Sequence, residues 1–264
     1  VDAAARATAR VSVGQSRQDV GFVGTSAGSS VGDTARTTVR LANTRAAYLV
    51  VGGPDRNFLD VVEVTDRDGD GRVTLRMNTR YMGLDTDAPG VPSNVRPYRA
   101  VGPSDTARAF TSGDRLASGT TLGQLRSSLG VADGLSRPLD PGDYRIVAAT
   151  STDVRREGNG IRIVDERATA ALLLGEASVD EARTLAAPRG SATAGGIGAL
   201  KRLSRRDAVA LGDRVVLRFR LSGVFGHLAA EHGNGITGLV NNREEGGALT
   251  ARPPTAAPNR DPMW

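Results

Sequence analysis

Leu59-Asp60-Val61-Val62-Glu63-Val64-Thr65 leads into Asp66-Arg67-Asp68-Gly69-Asp70-Gly71, and Gly71 to Met77 continues as Arg-Val-Thr-Leu-Arg-Met. β-Branched residues alternate with polar ones on both sides of an Asp/Gly turn, so the stretch predicts two strands joined as a hairpin. Working outward, Ala47 to Val51 is a nearly continuous apolar run and Thr34 to Leu41 alternates. Further strands are expected at Arg10 to Val13, Asp143 to Ala149 and Arg214 to Leu221, with Ile161–Asp165 and Ala168–Leu174 as another pair. Helical signals are few. Leu122, Leu125 and Leu129 follow the cap candidates Thr120 and Thr121; Ser178-x-x-Glu181 is a capping-box pattern opening a helix to about Ala186; Ile197 to Leu203 is a third. Gly14 to Ser30 and Ala187 to Gly198 read as loose.

Many short strands with small helical inserts predict an all-β chain: an immunoglobulin-like β-sandwich followed by a second, shorter β-rich domain with short helices. The expected boundaries are an N-terminal arm and loop at 1–30, the sandwich at 31–174, the second unit at 175–245 and a Pro-rich tail at 246–264. Gly32-Asp33 before one strand and Gly212-Asp213 before another hint at an internal repeat.

The chain has 264 residues, 34 Lys+Arg against 29 Asp+Glu, and a net charge of +5. One basic residue is Lys201 and the rest are Arg. The absence of Cys excludes disulfide frameworks, thiolate metal sites and cysteine nucleophiles. Aromatics make up 4%, so the core must be built from Val, Ala and Leu. No apolar run approaches the ~20 residues that span a bilayer. Val1-Asp2-Ala3 reads as the start of a processed chain, which implies export after signal-peptide removal. No Asn-x-Ser/Thr sequon occurs.

Asp66, Asp68 and Asp70, followed by Gly71, match the opening of a calcium loop, in which alternating carboxylates bend around a hard cation. Met77 stands where such a loop carries its bidentate Glu. The alternative is a polar turn in which the same residues bond their own backbone. Gly24-Thr25-Ser26-Ala27-Gly28 fits a hydrolase elbow but has no helix after it, so a loop is expected. His227 and His232, five residues apart, fall on different helix faces and read as packing or surface residues. The arginines are interleaved with Asp and lack an aromatic ladder. They are expected to form Arg–Asp cross-strand pairs on solvated faces, not a nucleic-acid surface.

Several segments together resemble the β-sandwich domains of haloarchaeal S-layer-like and other cell-surface proteins. These are Val62 to Val73 with Asn78-Thr79 after it, Pro138-Leu139-Asp140-Pro141-Gly142-Asp143-Tyr144, Ile163 to Arg167, Val209 to Asp213 and Leu221 to Gly226. The resemblance spans about residues 30–230 and implies a secreted, non-enzymatic structural protein of a layer or filament. That family is strongly acidic, so the +5 charge implies docking on an acidic envelope or packing within an assembly. A second unit too short to close a sandwich implies a strand supplied by another copy. Thr8, Val11 and Val13 of the N-terminal arm are the candidate donor strand. A calcium-dependent adhesin or glycan-binding module is the alternative.

Overall fold

The computed structural model describes residues 17–84, 91–92, 95–102, 104–187, 204–205 and 214–230. The candidate donor strand (Thr8, Val11, Val13), the helix expected at 197–203, Gly212-Asp213, His232 and the tail at 246–264 lie outside them.

The described chain is mostly β. β1 (Asp19–Phe22), β3 (Thr34–Ala42), β6 (Arg72–Asn78) and β7 (Tyr98–Val101) form an antiparallel sheet in the order β1-β3-β6-β7. A six-stranded sheet takes β2 (Ser26–Ser30), β12 (Glu166–Gly175), β9 (Gly142–Ala149), β4 (Ala46–Gly53), β5 (Phe58–Thr65) and β8 (Thr106–Ala109), in that order. Its pairs are antiparallel except β2 with β12. The inward residues of both sheets share one core. Val39, Val73, Leu75 and Met77 of the smaller sheet meet Leu49, Val62, Ile146 and Leu172 of the larger. Branched aliphatics fill most of the space between the sheets, and Phe58, Tyr98 and Tyr144 supply the few rings in it.

The larger sheet is covered on its other face as well. A second core joins Val50, Leu59, Val61 and Val147 to Leu122 and Leu125 of α1 (Leu122–Leu129). It also takes Val154 of β10 (Val154–Glu157) and Ile163 of β11 (Gly160–Ile163), which pair as a hairpin. Burial on both faces explains why β4 and β9 read as apolar runs instead of alternating. The expected helix at Leu122 forms with a full capping box: the Thr121 hydroxyl accepts from Gln124 N–H, and the Gln124 side chain accepts from Thr121 N–H.

Four local expectations are corrected. β5 and β6 do not form a hairpin, because β5 is buried on both faces and sits inside the larger sheet, whereas β6 has one open face and joins the smaller. The Asp/Gly loop therefore carries the chain between sheets. Residues 161–165 and 168–174 do not pair with each other; β11 pairs with β10, and β12 with β9 and β2. The loose stretch Gly14 to Ser30 contains β1 and β2. Neither is apolar enough to be read locally, and each is ordered by a ladder to a distant strand. The helix expected from Ser178 is a strand, β13 (Val179–Ala187), paired with β15 (Arg214–Leu221) and with the short β14 (Ser204–Arg205). Ser178 Oγ donates to Asp180 and meets Ser222 Oγ instead of capping a helix, and the long-range ladder outweighs the local cap signal.

After β15 the chain returns to the sandwich through α2 (Phe225–Ala230). Gly226 N–H donates to Gly32 O, Asn78 Nδ2 donates to Gly226 O, and Phe225 N–H donates to Asp33 Oδ1. Gly32, at φ 86°, has no room for a Cβ against the Gly223 backbone, so backbone meets backbone here.

α1 is pinned to β5 by a buried ion pair. β8 ends beside Val61, where Phe110 N–H takes the Val61 carbonyl. The next free edge carbonyl, Leu59 O, accepts from Arg126 Nε at 2.8 Å, and Arg126 Nη2 meets Asp60 Oδ1 at 2.8 Å. Tyr98 donates to Asp60 Oδ2 at 2.6 Å. Arg126→Met leaves Asp60 buried without its cation and Leu59 O without a donor, and is expected to cost about 3–5 kcal/mol. Adding Asp60→Leu to it is expected to restore most of that, as read by urea denaturation of the single and double variants.

Candidate functional site

Three groups of polar side chains are candidates. The first is the loop between β5 and β6. Asp66 is buried, while Asp68 and Asp70 are exposed. Asp66 Oδ1 accepts from Gly69 N–H at 2.7 Å and its Oδ2 from Gly71 N–H at 2.9 Å. Asp68 Oδ1 accepts from Asp70 N–H, and Asp70 Oδ1 from Arg72 N–H. Gly69 and Gly71 both have positive φ, 81° and 77°, which explains the Gly spacing of the motif. Asp105 accepts from Arg67 N–H and adds a fourth carboxylate nearby. Each Asp thus does what a polar turn requires, and one oxygen from each of the three also lies within 4.8 Å of the others, as a cation requires. Met77 points into the core, so the position of a bidentate Glu contributes nothing to the loop.

The electrostatics of the loop are uneven. Burial pushes the Asp66 carboxyl up, but the N–H groups of Gly69 and Gly71, a hydrogen bond from Asp68 and the charge of Arg45 together hold it below the usual carboxylate range. For Asp68 the N–H of Asp70 pulls down. Desolvation, the charges of Asp105 and Asp70 and the bond to Asp66 outweigh it and raise the pKa. Negative charge is crowded here, and a proton or a cation relieves it.

The second group is the Asp60–Arg126–Tyr98 network, which sequence reading missed because its members come from β5, α1 and β7. It borders a pocket of about 210 Å³ that Ser112 and Asp133 also line. Burial raises the Asp60 carboxyl against the opposing pull of Arg126 and Tyr98. Burial and the Asp60 charge push the Tyr98 phenol well up, so it stays a donor. Arg126 Nη1 is shared by Ser112 Oγ and Asp133. Every charged group in the network has partners, which is the arrangement of a structural clasp.

The third group is on the open face of the smaller sheet. Arg36 of β3 lies directly opposite Arg76 of β6, which lies opposite Arg99 of β7; Arg40 lies opposite Arg72. On this face the expected Arg–Asp cross-strand pairs do not form, whereas in the larger sheet Arg108 pairs with Glu63 and Arg145 with Glu166 across strands. Among the described residues none of these five side chains has an ion-pair or hydrogen-bond partner. The alternation of β3 and β6 sends every second residue outward, and an Arg at Arg36, Arg40, Arg72 and Arg76 becomes a ladder once the register is set. Desolvation and the neighbouring charges of Arg99 and Arg36 lower the pKa of Arg76. At the β6 end, Arg76, Arg96, Arg99 and Asn78 line a pocket of about 270 Å³, closed on one side by Ala229 and Ala230 of α2.

The remaining motifs fall apart in three dimensions. Ser26 opens the edge strand β2, exposed, with no elbow around it. His227 is buried, its Nδ1 3.1 Å from the Tyr81 hydroxyl, where it packs α2 onto the sandwich.

The family described as a domain of unknown function (DUF7827) matches residues 11–118, a stretch that runs through β8 and stops before α1. No curated protein and no solved structure matches the chain.

Asp66, Asp114 and Asp133 all have folded-state pKa values below the ordinary one. The stability they contribute is complete above the unfolded carboxylate value near ~4 and is lost as pH falls through the folded values. The melting temperature is therefore expected to hold from pH 7 to 5 and to fall steeply below about pH 4. Asp66→Asn is expected to lower it at pH 7 and to flatten the acid limb, as read by thermal denaturation across pH.

Proposed function

We propose that the chain is a non-enzymatic, extracellular structural subunit of an archaeal cell-surface layer or filament, built on an immunoglobulin-like sandwich and assembling with copies of itself. Two features support the sandwich reading. The Tyr144 hydroxyl donates to Asp140 O at 2.7 Å, the arrangement of a tyrosine corner at the entry to β9. Two sheets also share one core, with a short strand, β2, running parallel to β12 at the edge.

The observation that carries the assembly reading is the sheet β14-β13-β15. It belongs to neither sandwich sheet, and most described side chains of β13 and β15 are exposed, Val179 at 70% and Phe219 at 37%. A two- or three-stranded sheet without a covered face is marginal in water, and its edges are templates for another chain. Strand donation by Thr8, Val11 and Val13 of a neighbour would complete it, and head-to-tail donation would propagate as a filament. Sedimentation and electron microscopy of the full chain are expected to show concentration-dependent polymers, shortened or lost when residues 1–13 are deleted. A protein that stays monomeric at high concentration sinks the reading.

The close approach of Asp66, Asp68 and Asp70 favours a second reading, a calcium-dependent adhesin or glycan-binding module. Calcium at the loop would lock the crossing between sheets and stabilise by mass action. At low ionic strength, calcium is expected to raise the melting temperature by several degrees and chelator to reverse it, with Asp68→Asn abolishing the response. A melting temperature indifferent to calcium removes this reading and leaves the first intact.

A further inference from the structure

The arginine ladder is costly as built. Like charges directly opposite on a sheet destabilise it, and among the described residues no carboxylate forms an ion pair with Arg36, Arg76, Arg99, Arg40 or Arg72, although Asp70 lies two residues before Arg72 and Asp19 of β1 is on the same face as Arg40. Neighbouring strands set the backbone positions of the first row about 5 Å apart, and the second row lies four residues along β3, about 13 Å away. Thr38 and Thr74, joined at 2.9 Å by their hydroxyls, sit between the rows. The surface therefore presents two rows of arginines with hydroxyls between them, the first ending in the pocket of Arg76, Arg96 and Arg99.

We infer that this face binds a linear acidic polysaccharide, its carboxylate or sulfate groups paired with the Arg36–Arg76–Arg99 row and the Arg40–Arg72 row. This deepens the cell-surface reading by naming a partner and the place it docks. Guanidinium forks match planar or tetrahedral oxyanions, and a polymer with an acid on each sugar unit presents charge at a comparable pitch. Nucleic acid fits less well: the outward residues of β3, β6 and β7 include no ring, and Tyr98 faces the core, so bases find nothing to stack on. The acidic loop of a second copy fits less well too. Its carboxylates are concentrated at one turn and already accept backbone N–H groups, so it would reach one row and not both.

The test measures binding of the full chain to alginate, dextran sulfate, uncharged dextran and a single-stranded DNA oligonucleotide at rising salt. Binding to alginate or dextran sulfate is expected, weakening as salt rises, with none to dextran. The variant Arg36→Ser/Arg76→Ser/Arg99→Ser is expected to bind at least about tenfold more weakly. Its melting temperature should be unchanged or higher, because repulsion is removed; a purely structural role predicts a lower one. Unchanged binding by the variant, no binding at low salt, or tighter binding to DNA than to both polysaccharides overturns the inference. So does loss of self-association in the variant, which would give the face to a second copy. Sedimentation of the protein alone reads the assembly proposal separately: a monomer that binds alginate through these arginines keeps this inference and loses that one.

Discussion

The double burial of β4, β5 and β9 is the constraint around which the molecule is arranged. These strands carry apolar residues on both faces: Leu49, Val62 and Ile146 on one, Val50, Val61 and Val147 on the other. One face demands a second sheet and the other demands α1 with the β10–β11 hairpin. Among the described residues the outward side chains of the smaller sheet are exposed or half-buried, with α2 bordering one end, so this side can carry charge. The clasp from Arg126 to Asp60 follows from the same constraint. Where β8 stops short, the exposed edge of a buried strand must find donors, and α1 supplies them.

The net charge of +5 conceals strong segregation. Carboxylates gather at the loop Asp66–Asp70 with Asp105, while the outward residues of β6 are Arg72, Thr74 and Arg76. β6 runs from one to the other, so a single seven-residue strand separates an acidic turn from a basic pocket. Proteins commonly mix the two signs over such a distance, which lowers the field each group feels. Here, against the pull of the Asp70 N–H, desolvation and then the charges of Asp105 and Asp70 raise Asp68. Desolvation and then the charges of Arg99 and Arg36 lower Arg76, while Asp66 in the acidic loop, against its own desolvation, is held down by backbone N–H groups and Arg45.

Much of the β content could be read from the residues, because alternation at Thr34–Leu41 and apolar runs at Ala47–Val51 and Asp143–Ala149 are local patterns that survive in β3, β4 and β9. Of the cap candidates Thr120 and Thr121, Thr121 proves to be the N-cap, a signal legible for the same reason because its bond to Gln124 N–H closes within four residues. The Asp/Gly loop was legible as a turn, since its hydrogen bonds are made within five residues. What the loop connects was not legible, because pairing depends on which strand lies alongside and not on the turn. The capping pattern at Ser178 misled because β15, far along the chain, offered a full ladder to the same residues.

The sequence alone determined the strand-rich character, the absence of thiol chemistry and the identity of the carboxylates in the turn, all matters of composition and short-range spacing. Tertiary structure decided the crossing between sheets, the clasp of Asp60 with Arg126 and Tyr98, and the register that sets Arg36, Arg76 and Arg99 side by side. These depend on contacts between residues tens of positions apart, whose alignment is set by burying both faces of the central strands. A one-residue change in that alignment would send the arginines to the core face, so only the folded chain could display them as a row.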